Sequence, residues 1–68
     1  PQNAAVADTY GWILFKAGNF EESLPVLEAA HQLQPDSQEI AMHLAEAYKA
    51  TGRSAEAKSL LQSFGTQG

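Results

Sequence analysis

The sequence predicts an all-α fold, because its composition, an internal repeat and its apolar spacing all favour helices. Alanine occurs twelve times, whereas valine, isoleucine and threonine together occur seven times. Alanine is the strongest helix former, while β-branched residues favour strands. Apolar residues also recur three and four positions apart, which is the spacing of one face of a helix. We therefore expect four antiparallel helices and no sheet.

The repeat has a period of 34 residues, which is the separation of Gly18 and Gly52. The same offset pairs Val6 with Ile40, Ala7 with Ala41, Tyr10 with Leu44, Gly11 with Ala45, Leu14 with Tyr48, Glu22 with Glu56, Ser23 with Ala57, Leu27 with Leu61 and Ala30 with Phe64. Most of these pairs keep a small residue opposite a small one or an apolar residue opposite an apolar one. The sequence therefore predicts a single domain of two helix–turn–helix units, residues 4–37 and 38–64, followed by a flexible tail, 65–68.

The first helix is predicted over residues 4–17. Asn3 precedes it as an N-cap, and Gly18 ends it, because glycine adopts the left-handed conformation that often closes a helix. Its expected buried face consists of Val6, Tyr10, Ile13, Leu14 and Ala17.

The second helix is predicted to follow Asn19 and to run to about Leu33. Asn19 and Glu22 have the spacing of a capping box, and Pro35 ends the helix. Pro25 removes one backbone hydrogen bond near the helix start, so we expect a kink there. The expected buried residues are Phe20, Leu24, Leu27 and Ala30.

The third and fourth helices are predicted over residues 37–50 and 54–64. Asp36 and Glu39 again have capping-box spacing, and Gly52 closes the turn between the helices.

Gly11 lies in the middle of the first helix, where glycine costs about 1 kcal/mol relative to alanine. Its repeat equivalent, Ala45, is also small. We therefore expect a close helix–helix contact at both positions.

Composition excludes several kinds of function. The chain has no cysteine, which excludes disulfides, and its net charge of −4 opposes general phosphate binding. The longest apolar run, Trp12 to Phe15, is far too short to span a membrane. No phosphate-binding loop or catalytic motif is present, so we expect neither an enzyme nor a cofactor.

Three polar residues of the third helix have a spacing that brings potential metal ligands to one face: Glu39, His43 and Glu46. No fourth ligand can be identified, and a solvated polar stripe explains the same spacing. We therefore expect no metal site. His31 lies near the end of the second helix, where an imidazolium favours the negative end of the helix dipole.

The repeated residues resemble the tetratricopeptide repeat family over residues 4–64. The first copy carries Tyr10, Gly11, Leu14, Gly18, Phe20, Ser23, Leu27, Ala30 and Pro35, and the second carries Leu44, Ala45, Tyr48, Gly52, Ala57 and Leu61. Leu14 stands where an aromatic residue is usual, and Ser23 and Phe64 stand where alanine is usual. The resemblance implies an α-solenoid with a right-handed superhelix that binds a protein or peptide partner in a concave groove.

The resemblance also implies which residues face that groove. They are Asp8, Trp12, Phe15, Lys16, Met42, Glu46 and Lys49, with Ala5 and Glu39 on the same helix faces. Trp12 and Phe15 have an alternative role in packing between helices. Asp8 and Trp12 stand where a carboxylate clamp for chaperone tails needs Lys and Asn, so that role is disfavoured.

Self-association is the alternative function. Leu60, Leu61 and Phe64 are expected to be exposed at one end of the stack, and the Val6 and Ile13 side at the other. Arrays of this kind usually need about three repeats and a cap, so these apolar ends either pair between chains in a homo-oligomer or mark where a longer array was cut.

The run from Ala7 to Leu14 is similar to bacterial repeat lipoproteins associated with exosortase and exopolysaccharide loci. Glu22, Leu24, Pro25, Leu27 and Glu28 downstream support this resemblance. It implies a fragment of a larger cell-envelope protein that is periplasmic or membrane-anchored, with a cytoplasmic location as the alternative.

Overall fold

The computed structural model describes residues 3–65, which form four helices. These are α1 (Ala4–Lys16), α2 (Phe20–Leu33), α3 (Gln38–Ala50) and α4 (Ser54–Gly65). No strand is present among these residues, so the all-α prediction is confirmed. Gly65, the first residue of the expected tail, is the last residue of α4, and 66–68 lie outside the described residues.

The helix starts agree with the predicted positions, but two of the predicted caps are wrong. The Asn3 side chain accepts hydrogen bonds from the backbone N–H groups of Ala5 and Val6 and caps α1 as expected. The N-cap of α3 is Ser37, whose Oγ accepts a bond from the Ile40 N–H, and not Asp36. Asn19 makes no side-chain capping bond to α2.

The helix ends are set by two glycines with positive φ. Gly18 has φ of 90° after α1, and Gly52 has φ of 82° after α3. This left-handed conformation is costly for residues with a Cβ atom, which is why the same residue type occurs at the same place in both units. Pro25 lies inside α2, and the helix continues through it to Leu33.

The core lies where α2 meets α3. Leu24, Leu27, Leu44 and Ala47 form a buried cluster, and Phe15, Tyr48 and Leu60 pack against it. Leu60 thereby joins α4 to the core, and the prediction that it is exposed at the end of the stack is wrong in part, because Leu60 is half-buried.

Gly11 lies at a close approach of α1 and α2. A Cβ atom at this position would lie 2.7 Å from two carbons of the Leu27 side chain. The prediction of close helix packing at Gly11 is confirmed, and Ala45 is likewise buried.

The predicted buried face of α1 is wrong in part. Val6, Tyr10 and Ile13 are 65%, 56% and 60% exposed, whereas their repeat equivalents in α3 are almost fully buried: Ile40, Leu44 and Ala47. The physical reason is position in the stack, since α2 covers this face of α3 and no described helix covers it on α1. Phe20, expected in the core, is also exposed.

The helices form two layers. The described residues extend over 30 × 29 × 14 Å, and 14 Å is about the thickness of two helices packed 8–10 Å apart. The first helices of the two units, α1 and α3, contact each other directly, and α4 joins the stack by packing on α3. Within residues 3–65, no helix has both the length and the apolar character of a membrane span.

Candidate interaction face

The surface where α1 and α3 meet carries a set of stacked rings. Trp12 on α1 stacks on His43 of α3, with ring centroids 4.1 Å apart and an interplanar angle of 16°. Phe15 stacks on Trp12 at 4.6 Å, and Phe20 meets Phe15 edge-on at 5.0 Å. Parallel and edge-on ring contacts each add stabilisation beyond burial alone. We give the name α1–α3 face to these two helices' contact region, which comprises Asp8, Trp12, Phe15, Lys16 and His43, together with the exposed α3 residues Met42, Glu46 and Lys49.

Asp8 and His43 form a polar link beneath these rings. The His43 Nδ1 lies 2.8 Å from Asp8 Oδ1, and Asp8 is only 9% exposed. A buried carboxylate needs a hydrogen-bond partner because it has lost its water. Asp8 is one of the predicted groove residues, and the structure shows that its carboxylate is already bound to the neighbouring unit.

The other charged residues predicted for the groove lie at the surface. Lys16 Nζ lies 5.9 Å from the Trp12 ring, within the range of a cation–π contact. Lys49 pairs with Glu46 at 3.4 Å, and both side chains are about half exposed. Met42 is 52% exposed, so it offers an apolar side chain to a partner.

Tyr48 has a second polar link between the units. Its hydroxyl donates to Glu28 Oε2 at 3.1 Å, which joins α3 to α2. Burial raises the pKa of the Tyr48 hydroxyl above its usual range, and the bond to the Glu28 carboxylate raises it further.

Three potential metal ligands converge beside the rings. One ligand atom each from Asp8, Glu39 and His43 lies within 4.8 Å of the others. The spacing of the third helix points to Glu46 as the third member, but Glu46 is paired with Lys49. Asp8 is 35 residues from His43, and its repeat equivalent is Met42, so no local pattern in the sequence could have found it.

Each end of the stack carries an apolar surface. Between α1 and α2, an apolar groove of about 520 Å³ is lined by Val6, Tyr10, Val26 and Leu33 among others. On α4, Leu61 and Phe64 are only partly buried, and Leu61 lines a shallow groove with Lys49, Ala57 and Lys58. His31 lies in the last turn of α2 with its Nδ1 buried and without a hydrogen-bond partner among the described residues.

Two units with a 34-residue offset, each closed by a positive-φ glycine, have the architecture of a helical repeat. Residues 14–64, three quarters of the chain, match the family model described as tetratricopeptide repeat. The chain belongs to the tetratricopeptide repeat family. Tetratricopeptide repeats are in general protein–protein interaction modules without catalytic activity. No curated protein and no solved structure matches the chain, and its resemblance to exosortase-associated lipoproteins stays a prediction.

Proposed function

We propose that this chain is a non-enzymatic interaction module that holds an extended or helical segment of a partner protein against the α1–α3 face. The observation that carries the proposal is the half-buried Trp12 where α1 meets α3, together with the exposed Met42, which precedes the stacking partner His43 on α3. Methionine and tryptophan are enriched at protein interfaces, where methionine adapts its shape and tryptophan supplies a rigid surface.

The charges of this face favour a segment that carries both signs. Lys16 lies beside Trp12, and the exposed pair Glu46 and Lys49 lies on the neighbouring helix. Such exposed charges mainly steer a partner and set its orientation, since water screens them. Asp8 is committed to His43 and contributes by fixing the ring stack.

Trp12 is the single tryptophan of the chain, so its fluorescence reports directly on binding. We expect peptides selected from a displayed library to shift this fluorescence and to bind Met42→Lys at least about tenfold more weakly, because a buried methionine contact is lost. Leu33→Lys is the matched control, since Leu33 is an exposed apolar residue of α2 in the other layer. Selected peptides that lose affinity with Leu33→Lys and keep it with Met42→Lys would contradict the proposal.

Self-association is a second candidate, and the exposed Val6, Tyr10 and Ile13 favour it. The equivalent face of α3 is covered by α2 through Leu27, and the repeat equivalent of Leu27 is Leu61 on α4. We propose that α4 of a second copy covers α1 in the same manner, with Leu61 and Phe64 at the contact.

Light scattering after size exclusion tests this second candidate. A mass that rises with concentration, and that falls to the monomer in Ile13→Lys and in Leu61→Lys, is the expected result. Met42→Lys is the control, since it lies on the α1–α3 face. A monomer at every concentration rejects self-association and leaves the first proposal in place.

We further propose that the chain is part of a larger bacterial scaffold or assembly protein of the cell envelope. The resemblance of Ala7 to Leu14 to exosortase-associated lipoproteins supports this assignment. Fractionation of cells that produce the parent protein is the test, and recovery in the cytoplasm would contradict it.

A further inference from the structure

We infer that Asp8, Glu39 and His43 form a binding site for a divalent transition-metal ion that joins the two repeats. The ligand atoms of the three side chains lie within 4.8 Å of one another. Tetrahedral coordination at about 2.0–2.1 Å places ligand atoms about 3.3 Å apart. Glu39 is exposed, so its flexible side chain can move the remaining distance at little cost.

The chemistry of the ligands favours zinc and its neighbours over magnesium. One imidazole nitrogen and two carboxylate oxygens suit borderline ions, whereas Mg²⁺ prefers oxygen ligands and keeps its waters. Three protein ligands also leave one coordination position for water.

The charges around the site support a cation. Asp8 is nine-tenths buried, and the exposed Glu39 places a second carboxylate near it, so two negative charges lie close together at this point. Lys49 pairs with Glu46 and Arg53 pairs with Glu56, and neither basic side chain neutralises this cluster.

The surroundings provide both a fixed ligand and a route of entry. The ring of His43 is held in place by its stack with Trp12, which reduces the entropy lost when Nδ1 binds an ion. A polar pocket of about 300 Å³ is lined by Asp8 and Glu39 together with Gln34 and Ser37. An ion can therefore reach the ligands without unfolding of either repeat.

The first test is titration of the protein, free of any affinity tag, with Zn²⁺ in a calorimeter. We expect one equivalent to bind, and Glu39→Gln to weaken its affinity by about tenfold or more, because one ligand becomes neutral. Glu46→Gln is the matched control, since both glutamates are exposed on α3 and both belong to the triad predicted from the sequence, but only Glu39 joins the cluster. His43→Ala removes another of the three ligands and should also weaken Zn²⁺ binding. His31→Ala is its control, because His31 and His43 are the two histidines of the chain.

A second readout uses Trp12. Its ring lies 4.1 Å from that of His43, so Cu²⁺ bound at the site should quench its fluorescence, and Glu39→Gln should move the quenching to about tenfold higher concentration. Zn²⁺ should also raise the thermal midpoint of the wild-type protein and of Glu46→Gln, and should raise that of Glu39→Gln by less at the same Zn²⁺ concentration, because tighter binding to the folded state stabilises it more.

Three results would overturn the inference. They are the absence of saturable Zn²⁺ binding, equal weakening by Glu46→Gln and Glu39→Gln, and equal competition by Mg²⁺, which would indicate attraction to surface acids alone. Because Glu39 is exposed, its variant should fold normally, and far-ultraviolet circular dichroism checks this directly. Metal binding does not depend on the peptide experiments above, so either result can fail without the other.

Discussion

Several side chains in this protein make contacts that cannot be inferred from their neighbours in the sequence. Gly11 permits α1 and α2 to approach closely, and Asp8 forms the link between the repeats through His43. Tyr48 links α3 to α2 through Glu28. In each case the partner lies on another helix, so the role of the residue follows from packing and not from its own helix.

Gly11→Ala tests the closeness of the helix contact. The new Cβ would lie 2.7 Å from Leu27 Cγ, which is a buried branch point and not a flexible end. Overpacking of about 1–3 kcal/mol opposes a gain in helix propensity of about 1 kcal/mol. We expect a net loss of about 1 kcal/mol in the free energy of unfolding, measured with urea. Thr9→Ala, at an exposed position of the same helix, should not lose stability, and a more stable Gly11→Ala protein would contradict the packing argument.

The raised pKa of Tyr48 predicts that the protein loses stability at high pH. Its raised pKa means that the folded state retains the phenolic proton after the unfolded state has lost it. The corresponding stabilisation is complete below the unfolded pKa of about 10 and is lost as the pH rises through the folded pKa.

The measurement is the absorbance of tyrosinate in Tyr10→Phe, in which Tyr48 is the remaining tyrosine. We expect the pKa of Tyr48 to lie above 10 in this protein and to decrease when Glu28→Gln removes the neighbouring negative charge. A Tyr48 pKa that is unchanged by Glu28→Gln would show that the hydrogen bond is not formed in solution.

Among the helices, the starts and ends are determined by a few local residues. Positive φ at Gly18 and Gly52 ends α1 and α3 at equivalent places, and Asn3 and Ser37 satisfy the first N–H groups of those helices. The capping-box spacing of Asn19 and Glu22 did not produce a capping bond from Asn19. Capping-box spacing thus predicts a capping bond less reliably than a glycine predicts a helix end, because a capping bond also requires a suitable side-chain conformation.

The two caps allow a matched experiment. Ser37→Ala removes the acceptor of the Ile40 N–H and should cost about 1 kcal/mol of stability. Asn19→Ala removes no side-chain capping bond, so its stability should change by no more than about 0.5 kcal/mol. Urea unfolding of both variants checks this, and an equal loss in the two would contradict the assignment of the caps.

The molecule as a whole is a stack in which α2 covers one face of α3, whereas no described helix covers the equivalent face of α1. The same repeat positions are buried on α3 and exposed on α1, because α2 precedes α3 in the stack. The exposed face on α1 is thus a difference in packing between equivalent positions of the two units. It explains why the sequence periodicity predicted a buried face that the structure does not bury.

Two isoleucines, one on the covered face of α3 and one on the uncovered face of α1, provide a test of this difference in burial. Ile40 is 4% exposed and Ile13 is 60% exposed. We expect Ile40→Val to lower the free energy of unfolding by about 1 kcal/mol, and Ile13→Val to change it by less than about 0.5 kcal/mol. The measurement is made at a concentration where light scattering shows a monomer. A large effect of Ile13→Val in the monomer would mean that the α1 face is covered within the chain.

The sequence by itself determined the helices, the repeat and the family of this protein. Helix bounds came within one or two residues of the predicted ones, since apolar spacing, glycines and prolines act over a few residues and can be read along the chain. The predicted core residues Leu24, Leu27 and Ala30 are buried for the same reason.

The tertiary structure decided which faces are covered and which polar groups meet. Asp8 joins His43 across 35 residues. The third member of the cluster with Glu39 and His43 is Asp8 and not the predicted Glu46, because α1 lies against α3. Burial of an apolar face depends on whether another helix lies against it, and a polar cluster depends on how two helices are aligned. Both are properties of packing between elements, and no pattern within one helix contains them.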